Sequence, residues 1–242
     1  MEKKKAGKRS PAEIYNERAS QPDFCPLSDI SDYLILLILK AEDKTFYAHH
    51  GINIYSIRIC LRAFRKTGKL PSCSTITQQL VKNLYFTFEK SWIRKLREAV
   101  LALRFEHRLS KDQILELYLN LIHFGNGQYG IGSASRFYFG KTPKELTFNQ
   151  SIFLAFLPPV AGVYNPLYHP EKYAAYRYGK LQGTLGDCAL YEYVCREIRM
   201  HGADSLDEEL CHASKETDRY NGFAPLINER FGPGMPECLL YK

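Results

Sequence analysis

The sequence predicts a mainly helical protein, and three observations support that fold class. Apolar residues recur at helical spacing in the stretch that begins at Trp92. A nearly unbroken apolar run, YLILLILKA, follows Ser31, a residue type that favours helix N-termini. Serines also precede the helical patterns that begin after Ser74 and Ser110. With 242 residues, 45% of them hydrophobic, the chain can form one sizeable domain or two small ones.

The opening of the chain is polar and basic. Residues 1–28 contain scattered prolines, so we expect a loose lead-in. The net charge of +7 suits an anionic partner such as phosphate, nucleic acid or a membrane surface, without choosing among them. No apolar run approaches the roughly 20 residues that cross a bilayer, and the opening has no signal-peptide pattern. The sequence therefore predicts a soluble or peripheral protein, unless an anchor precedes Met1.

The cysteines predict free thiols. There are seven of them, an odd number, and none forms a CxxC pair. This pattern argues against a zinc site and against a disulfide framework.

The first predicted helix starts at Asp32 and is apolar almost all round, as expected of a central buried helix. Glu42 directly follows its apolar run, either because the helix reaches water there or because the carboxylate is functional. Gly51 can provide a left-handed stop for this segment. A second helix is predicted from Ile54 to Lys66.

The next predicted helix, STITQQLVKN, is capped by Ser74. Its side chains Gln78, Gln79 and Lys82 are spaced to share one face. Two amides and an ammonium on one strip would provide hydrogen-bond donors for oxyanions. An ordinary solvated helix face explains the same spacing equally well.

The helix from Trp92 has apolar residues on two sides, which predicts burial on both. The first side is the predicted core-facing stripe: Trp92, Ile93, Leu96, Ala99, Val100 and Leu103. The second side has Leu101, Ala102 and Phe105, with Glu98 among them. Arg94 and Lys95 precede Glu98 by four and three residues and favour its ionised form. Glu98 is either a structural ion-pair partner or a working group in a cleft.

Further along, Ser110 and Gln113 predict a capping box for KDQILELYLN. The glycine-rich stretch at 124–141 lacks the spacing of a nucleotide-binding phosphate loop. Pro143 opens a predicted helix that continues through Phe156.

Five stretches together resemble the motifs of the peptidoglycan glycosyltransferase family, found as monofunctional transglycosylases and as the glycosyltransferase half of bifunctional penicillin-binding proteins. They are AEDKTFYAHHG at 41–51, STITQQLVKN at 74–83, RKLRE at 94–98, KDQILELYLN at 111–120 and FGNGQYGIGSASRFYFGK at 124–141. The resemblance implies a lysozyme-like, mainly α fold with a larger head and a small jaw subdomain. It places the glycosyltransferase domain at residues 29–185 and leaves 186–242 as a C-terminal extension of unknown role.

The resemblance also implies a reaction, the inverting transfer of disaccharide-peptide units from lipid II to a growing glycan strand, with release of undecaprenyl pyrophosphate. By carry-over, Glu42 is the general base and Glu98 assists the pyrophosphate side, directly or through Mg²⁺ or Mn²⁺. Lys82 would stabilise the leaving pyrophosphate. The expected substrate-binding residues, Lys82 included, are Asp43, Lys44, Ser74, Thr75, Gln78, Gln79, Lys82, Lys90, Arg94 and Lys95.

The family's usual setting is the outer face of the bacterial cytoplasmic membrane, so the membrane surface is an expected partner. No anchor is visible in this chain, and neither an organic cofactor nor nucleic acid is expected.

The chain departs from the family pattern in several places. Ser72 and Cys73 replace a usual Gly-Gly, Lys90 replaces a frequent arginine, and Thr45 stands where a basic residue is common. Two other functions therefore stay open. One is a lysozyme-like glycan hydrolase with Glu42 as general acid, and the other is a non-catalytic lipid II or glycan binder.

Overall fold

A computed structural model describes residues 9–68, 74–86 and 92–169, together with 172, 173, 175–177, 179 and 180. The chain divides into two compact units, Met1–Leu27 with Glu42–Ile122 and Ser28–Ala41 with His123–Lys242. Across the described ranges the regular structure is helical, without strands apart from an isolated bridge between His123 and Tyr129. The predicted mainly α fold class is confirmed, and its division into head and jaw stays a prediction.

The α-helices of these ranges are numbered in chain order. They are α1 (Pro11–Ala19), α2 (Asp32–Glu42), α3 (Ile54–Thr67), α4 (Ile76–Tyr85), α5 (Trp92–Arg108), α6 (Lys111–Leu121), α7 (Ile131–Phe139) and α8 (Phe148–Phe156). Short 3₁₀ turns lie at Leu27–Asp29, Phe46–Ala48 and Pro143–Glu145. The predicted bounds of α2, α3 and α6 agree with the structure to within one or two residues.

The core of the first unit forms where α4 packs against both α5 and α6. Helix α4 buries the apolar residues Ile76, Leu80, Val81 and Leu84, whose spacing places them on the inward side of the helix. Helix α6 begins with the predicted capping box, in which the Ser110 hydroxyl accepts from Gln113 N and Gln113 Oε1 accepts from Ser110 N. The packing of these three helices fixes the positions of the polar side chains on α4 and α5.

Ser74 does not cap α4, contrary to the prediction. Thr75 is the N-cap, and its hydroxyl accepts from Gln78 N at 3.1 Å while Gln78 Oε1 accepts from Thr75 N at 3.1 Å. A glutamine three residues after a threonine completes the reciprocal capping box, whereas Ser74 has Thr77 at that position. Ser74 is therefore left to contact another element.

The N-terminal segment is not a loose lead-in from residue 10 onward, so that prediction was wrong. Ser10 and Glu13 form a capping box that starts α1. Helix α6 then holds the segment through its polar side chains, because Glu116 accepts from Tyr15 Oη at 2.6 Å and from Leu27 N at 3.0 Å. These partners lie about ninety to a hundred residues away in the chain, so local composition could not reveal them.

Helix α5 buries the second of its two apolar sides, although burial of both was predicted. Glu98, Ala102 and Phe105 are fully buried, whereas four residues of the predicted core-facing stripe are exposed. The exposed members of that stripe are Ile93, Leu96, Val100 and Leu103. The prediction was wrong because periodicity identifies two apolar sides without saying which one α4 covers. Here α4 covers the side on which Glu98 meets its cations.

Gly51 adopts a left-handed conformation with φ of +84°, but α2 has already ended at Glu42, so Gly51 does not terminate it. The tertiary reason for glycine is close packing against α5. A Cβ at this position would lie 3.0 Å from the backbone carbon and oxygen of Ala102. Gly51 therefore lets the segment after Glu42 approach the backbone of α5.

We expect Gly51→Ala to lower the free energy of unfolding by about 2–4 kcal/mol, since it combines a positive φ with a backbone clash. Gly68→Ala is the matched control, because Gly68 has φ of +66° with open space around the added methyl group. It should cost only about 1 kcal/mol. Urea unfolding of both variants measures the difference, and equal losses would contradict a packing role for Gly51.

Cys60 is disulfide-bonded, which corrects the prediction that the cysteines are free thiols. Cys25, by contrast, keeps its thiol, and its Sγ lies 3.9 Å from Asp23 O. An odd cysteine count excludes complete pairing but does not exclude a single bridge. The absence of a CxxC motif says nothing about cysteines that are distant in sequence.

The core of the second unit is rich in aromatic residues. Phe153 of α8 packs against Tyr138 and Phe139 of α7 and against Tyr173, with ring centroids 5.0–5.4 Å apart. The predicted continuous helix from Pro143 to Phe156 is instead a 3₁₀ turn followed by α8. Thr147 and Gln150 form a separate capping box that restarts the chain as a helix.

The glycine-rich stretch forms a turn that leads into α7 rather than a phosphate loop. Gly125, Gly127 and Gly130 have positive φ, and so does Asn126 with φ of +50°. The turn is held from within its unit, because Asn126 Nδ2 donates to Tyr138 Oη at 2.8 Å. Among the described helices of both units, none is long and apolar enough to span a bilayer.

Candidate active site

Glu42, the last residue of α2, is partly buried and accepts a hydrogen bond from a glutamine amide. Gln79 Nε2 of α4 donates to Glu42 Oε2 at 2.7 Å. The other end of the same amide, Gln79 Oε1, accepts from Tyr118 Oη of α6 at 3.2 Å. An amide N–H can only donate, so this contact orients the carboxylate group. Glu42 is therefore held as a proton acceptor at the surface of the first unit.

The neighbouring carboxylate, Asp43, is buried and accepts hydrogen bonds from within the protein. Its Oδ2 atom accepts from His49 Nε2 at 2.8 Å and from Ile76 N, at the start of α4, at 3.1 Å. Gly51 N donates to His49 Nδ1 at 3.1 Å, so Nε2 is the ring nitrogen that donates to Asp43. This chain of contacts ties the segment after Glu42 to the N-terminus of α4, where a negative charge is favourable.

Glu98 of α5 is fully buried and has a cation at each carboxylate oxygen. Arg94 Nε lies 2.9 Å from Oε1, and Lys95 Nζ lies 2.6 Å from Oε2. Lys95 Nζ also donates to Ser74 Oγ at 2.7 Å, which is the contact that Ser74 makes in place of the predicted cap. The Lys95 side chain is 41% exposed. Glu98 thus orients two cations, one of which retains access to solvent.

Lys82 of α4 lies within the electrostatic reach of both glutamates. Burial lowers the pKa of its ammonium group, and the nearby cations Lys95 and Arg94 act in the same direction. The negative charges of Glu98 and Glu42 oppose them and favour the protonated form. Because a desolvated ammonium lacks part of its hydration, an anion that binds beside Lys82 would gain a strong interaction.

These contacts bring together a held carboxylate and a group of cations. Glu42 can take a proton from a hydroxyl nucleophile, and Lys82, Arg94 and Lys95 can neutralise a departing anion. Charge neutralisation is what an already acidic leaving group such as pyrophosphate requires.

Comparison with known proteins decides the family. The family model described as "Transglycosylase" matches residues 9–182. The chain belongs to the transglycosylase family. This confirms the resemblance that the five sequence motifs predicted.

The chain is also similar to penicillin-binding proteins. It is 44% identical over 135 residues to penicillin-binding protein 1F of Bacillus subtilis (strain 168), which is 55% of this chain and 19% of that protein. It is 40% identical over 160 residues to penicillin-binding protein 1A of Neisseria lactamica, covering 66% of this chain and 20% of that protein. The chain thus spans about a fifth of the length of these curated relatives.

The transglycosylase structure gives the predicted substrate-binding residues two different environments. Thr75 and Gln78 are buried in the cap of α4, and the Thr75 hydroxyl also donates to Gly51 O at 2.7 Å. Like Asp43, these residues support the site from the protein interior and do not offer hydrogen-bond donors to a substrate. Lys44 is exposed, and Lys90 lies outside the described residues, as do the departures at Ser72 and Cys73.

The three side chains of the predicted donor strip on α4 have three different sets of neighbours. Gln78 closes the capping box, Gln79 serves Glu42, and Lys82 faces the charges of α5. Helical spacing placed the three side chains on one face but did not predict that each would have a different partner. Thr45, at a position where the family often has a basic residue, accepts instead from Asn53 Nδ2 at 2.6 Å.

Sequence reasoning missed two residues of the site, His49 and Tyr118. His49 lies in the first motif but received no role from its residue type alone. Tyr118 had a usable signal, because a tyrosine within the apolar pattern of α6 needs a partner for its hydroxyl. Finding that partner in Gln79 required the packing of α4 against α6.

The described residues do not form a metal cage. Within the described ranges, no group of three or more His, Cys, Asp or Glu side chains could hold a metal ion. Glu98 is the carboxylate predicted to bind Mg²⁺ or Mn²⁺, and both of its oxygens already contact cations. Those cations would repel a divalent ion, so we derive no step through a metal. The divalent cation stays a prediction.

Proposed function

We propose that this chain is a peptidoglycan glycosyltransferase that polymerises lipid II into glycan strands. The observation that carries the proposal is that Gln79 holds Glu42 at 2.7 Å, while the half-buried Lys82 on the same helix lies near the charges of both Glu42 and Glu98. A proton acceptor and an anion-neutralising group thereby act in one site, as the transfer of a sugar from a pyrophosphate donor requires.

In the proposed reaction, Glu42 accepts the proton of the acceptor sugar's 4-hydroxyl group. The hydroxyl oxygen attacks the anomeric carbon of the donor with inversion, and the bond from that carbon to the pyrophosphate oxygen breaks. The electron pair leaves with undecaprenyl pyrophosphate, whose charge Lys82 neutralises. Glu98 supports this side by orienting Arg94 and Lys95, which explains why a carboxylate stands among cations.

The test is to incubate the purified protein with lipid II and to follow glycan polymers by gel electrophoresis, with cell-wall sacculi as a parallel substrate. We expect polymer from lipid II and no soluble fragments from sacculi. Fragments without polymer would instead establish the hydrolase. Equal polymer yield from wild type and Glu42→Gln would remove Glu42 as the base, and lipid II binding without polymer would establish the binder.

We further propose that the protein works against the outer surface of the cytoplasmic membrane, where its lipid-linked substrate resides. Two helices of the first unit support this location. Helix α3 exposes Ile54 and Phe64 beside the cations Arg58 and Arg62, and it contains no acidic residue. Such a basic, apolar helix surface suits an anionic lipid interface. Helix α5 contributes a second exposed apolar surface, formed by Ile93, Leu96, Val100 and Leu103.

We expect Ile93→Asp with Leu96→Asp to weaken binding to phosphatidylglycerol-containing vesicles by about tenfold or more, because two apolar side chains lose their lipid contact. Ile93 and Leu96 are 66% and 69% exposed, so the protein should stay folded. The control is Val163→Asp, at an apolar position of the second unit that is also 66% exposed. Vesicle flotation compares the variants, and equal binding by both would contradict this placement of the membrane.

A further inference from the structure

We propose that Tyr118 is a positioning residue for the reaction and that it acts on Glu42 through the side-chain amide of Gln79. The inference rests on the proposed function, in which Glu42 is the general base. Tyr118 itself touches neither of the reacting sugars in this scheme. It orients the Gln79 amide, which in turn orients the Glu42 carboxylate.

The geometry is a chain of two hydrogen bonds across three helices. Tyr118 Oη of α6 donates to Gln79 Oε1 of α4 at 3.2 Å, and Gln79 Nε2 donates to Glu42 Oε2 at the end of α2 at 2.7 Å. Tyr118 is only 1% exposed and therefore has no access to bulk water as an alternative partner. Both ends of the Gln79 amide are thus engaged, and its rotation is restricted.

The direction of each hydrogen bond is chemically fixed. A carboxylate only accepts, so Gln79 must present its N–H end to Glu42 and its carbonyl end to Tyr118. The tyrosine hydroxyl serves that carbonyl as a donor. Burial raises the pKa of Tyr118 well above its ordinary value, and the negative charges of Glu42 and Asp43 raise it further. The hydroxyl therefore stays protonated and keeps its donor role throughout the working pH range.

Removal of the Tyr118 hydroxyl would leave a carbonyl oxygen without its donor at a part-buried position. Such an oxygen is unfavourable, so the amide would rotate or shift towards another donor. Its N–H would then no longer be held on Glu42, and the carboxylate would lose the contact that orients it. The expected consequence is a base that is less well placed for the acceptor hydroxyl.

The experiment compares Tyr118→Phe, which removes only the hydroxyl group, with the wild type. We expect kcat for polymer formation to fall about tenfold, with KM for lipid II nearly unchanged, because the loss of one buried hydrogen bond acts on the base and not on substrate contacts. An unchanged kcat, or a rise in KM without a fall in kcat, would overturn the proposal.

Tyr138→Phe is the matched control for the loss of a buried hydroxyl. Tyr138 is 5% exposed, and its hydroxyl donates to Phe124 O at 2.9 Å within the second unit. We expect it to lower the midpoint of unfolding without lowering kcat. An equal loss of kcat in both variants would mean that general destabilisation, and not positioning, causes the effect.

A double-mutant cycle with Gln79→Met tests the route through Gln79. If Tyr118 acts through that amide, adding Tyr118→Phe to Gln79→Met should cause almost no further loss of kcat. Fully additive losses would overturn the proposed route.

A readout independent of turnover separates this inference from the proposed function. The NMR chemical shift of the Glu42 carboxyl carbon, assigned by its disappearance in Glu42→Gln, should change in Tyr118→Phe relative to wild type at a fixed neutral pH, because the contact with Gln79 Nε2 is lost. If that shift is seen while wild type makes no polymer, the proposed function fails and the positioning contact stands. If wild type makes polymer and the shift is absent, the proposed function stands and the positioning role of Tyr118 is overturned.

Discussion

Replacement of Glu42 by Gln should reduce polymer formation from lipid II by about a hundred- to ten-thousandfold, the contribution typical of a general base. The amide has nearly the shape of the carboxylate and can still accept from Gln79 Nε2, which lies 2.7 Å from Glu42 Oε2. It cannot take up the proton of the acceptor hydroxyl. We therefore expect a loss of kcat with an unchanged unfolding midpoint, measured by polymer assay and thermal denaturation.

The control for this prediction is Glu17→Gln on α1, which removes one carboxylate charge at an exposed position. It should retain full polymerising activity. A Glu42→Gln variant that kept more than about a tenth of wild-type kcat would be inconsistent with general-base catalysis by this residue.

Lys82→Met should lower kcat by about a hundred- to a thousandfold, the cost of removing one group that stabilises developing negative charge. Methionine retains much of the length and apolar contact of the lysine stem, so the packing of α4 should persist. Lys144→Met removes an exposed cation of the second unit and should leave kcat unchanged. A rise in KM alone, with kcat preserved, would show that Lys82 binds the donor but does not assist departure of its pyrophosphate.

The pH dependence provides a second test of Lys82. Because burial lowers its pKa from the ordinary value of 10.5, the protonated form is present at low pH and is lost as pH rises through that lowered value. The alkaline limb of the activity profile should therefore lie below 10.5. Lys82→Arg, whose cation does not titrate in this range, should move the limb to higher pH even if its kcat is lower.

Individual helices were predictable because their signals lie within a few residues. The bounds of α3 were predicted to within one residue, and the start of α6 followed from the Ser110–Gln113 capping box. The same local reasoning failed at Ser74, where two neighbouring residues are both good caps. Gln78 lies three residues after Thr75 and completes a capping box with it, so Thr75 is the cap.

Candidate site residues could be named from the sequence, but their contacts could not. Glu42, Lys82 and Glu98 follow from the motifs, and the cations beside Glu98 follow from helical spacing. The partners that give them their properties are distant in sequence. Gln79 is separated from Glu42 by 37 residues and from Tyr118 by 39.

The sequence by itself determined the helical class of this transglycosylase, its family and the identity of its acidic and basic side chains, since these depend on residue type and short-range spacing. Only the tertiary structure decided which side of α5 is buried, that α6 clasps the N-terminal segment, and that Tyr118 reaches Glu42 through Gln79. The physical reason is that a helix can be apolar on two sides, and the choice between them is made by the surfaces of other helices that pack against it.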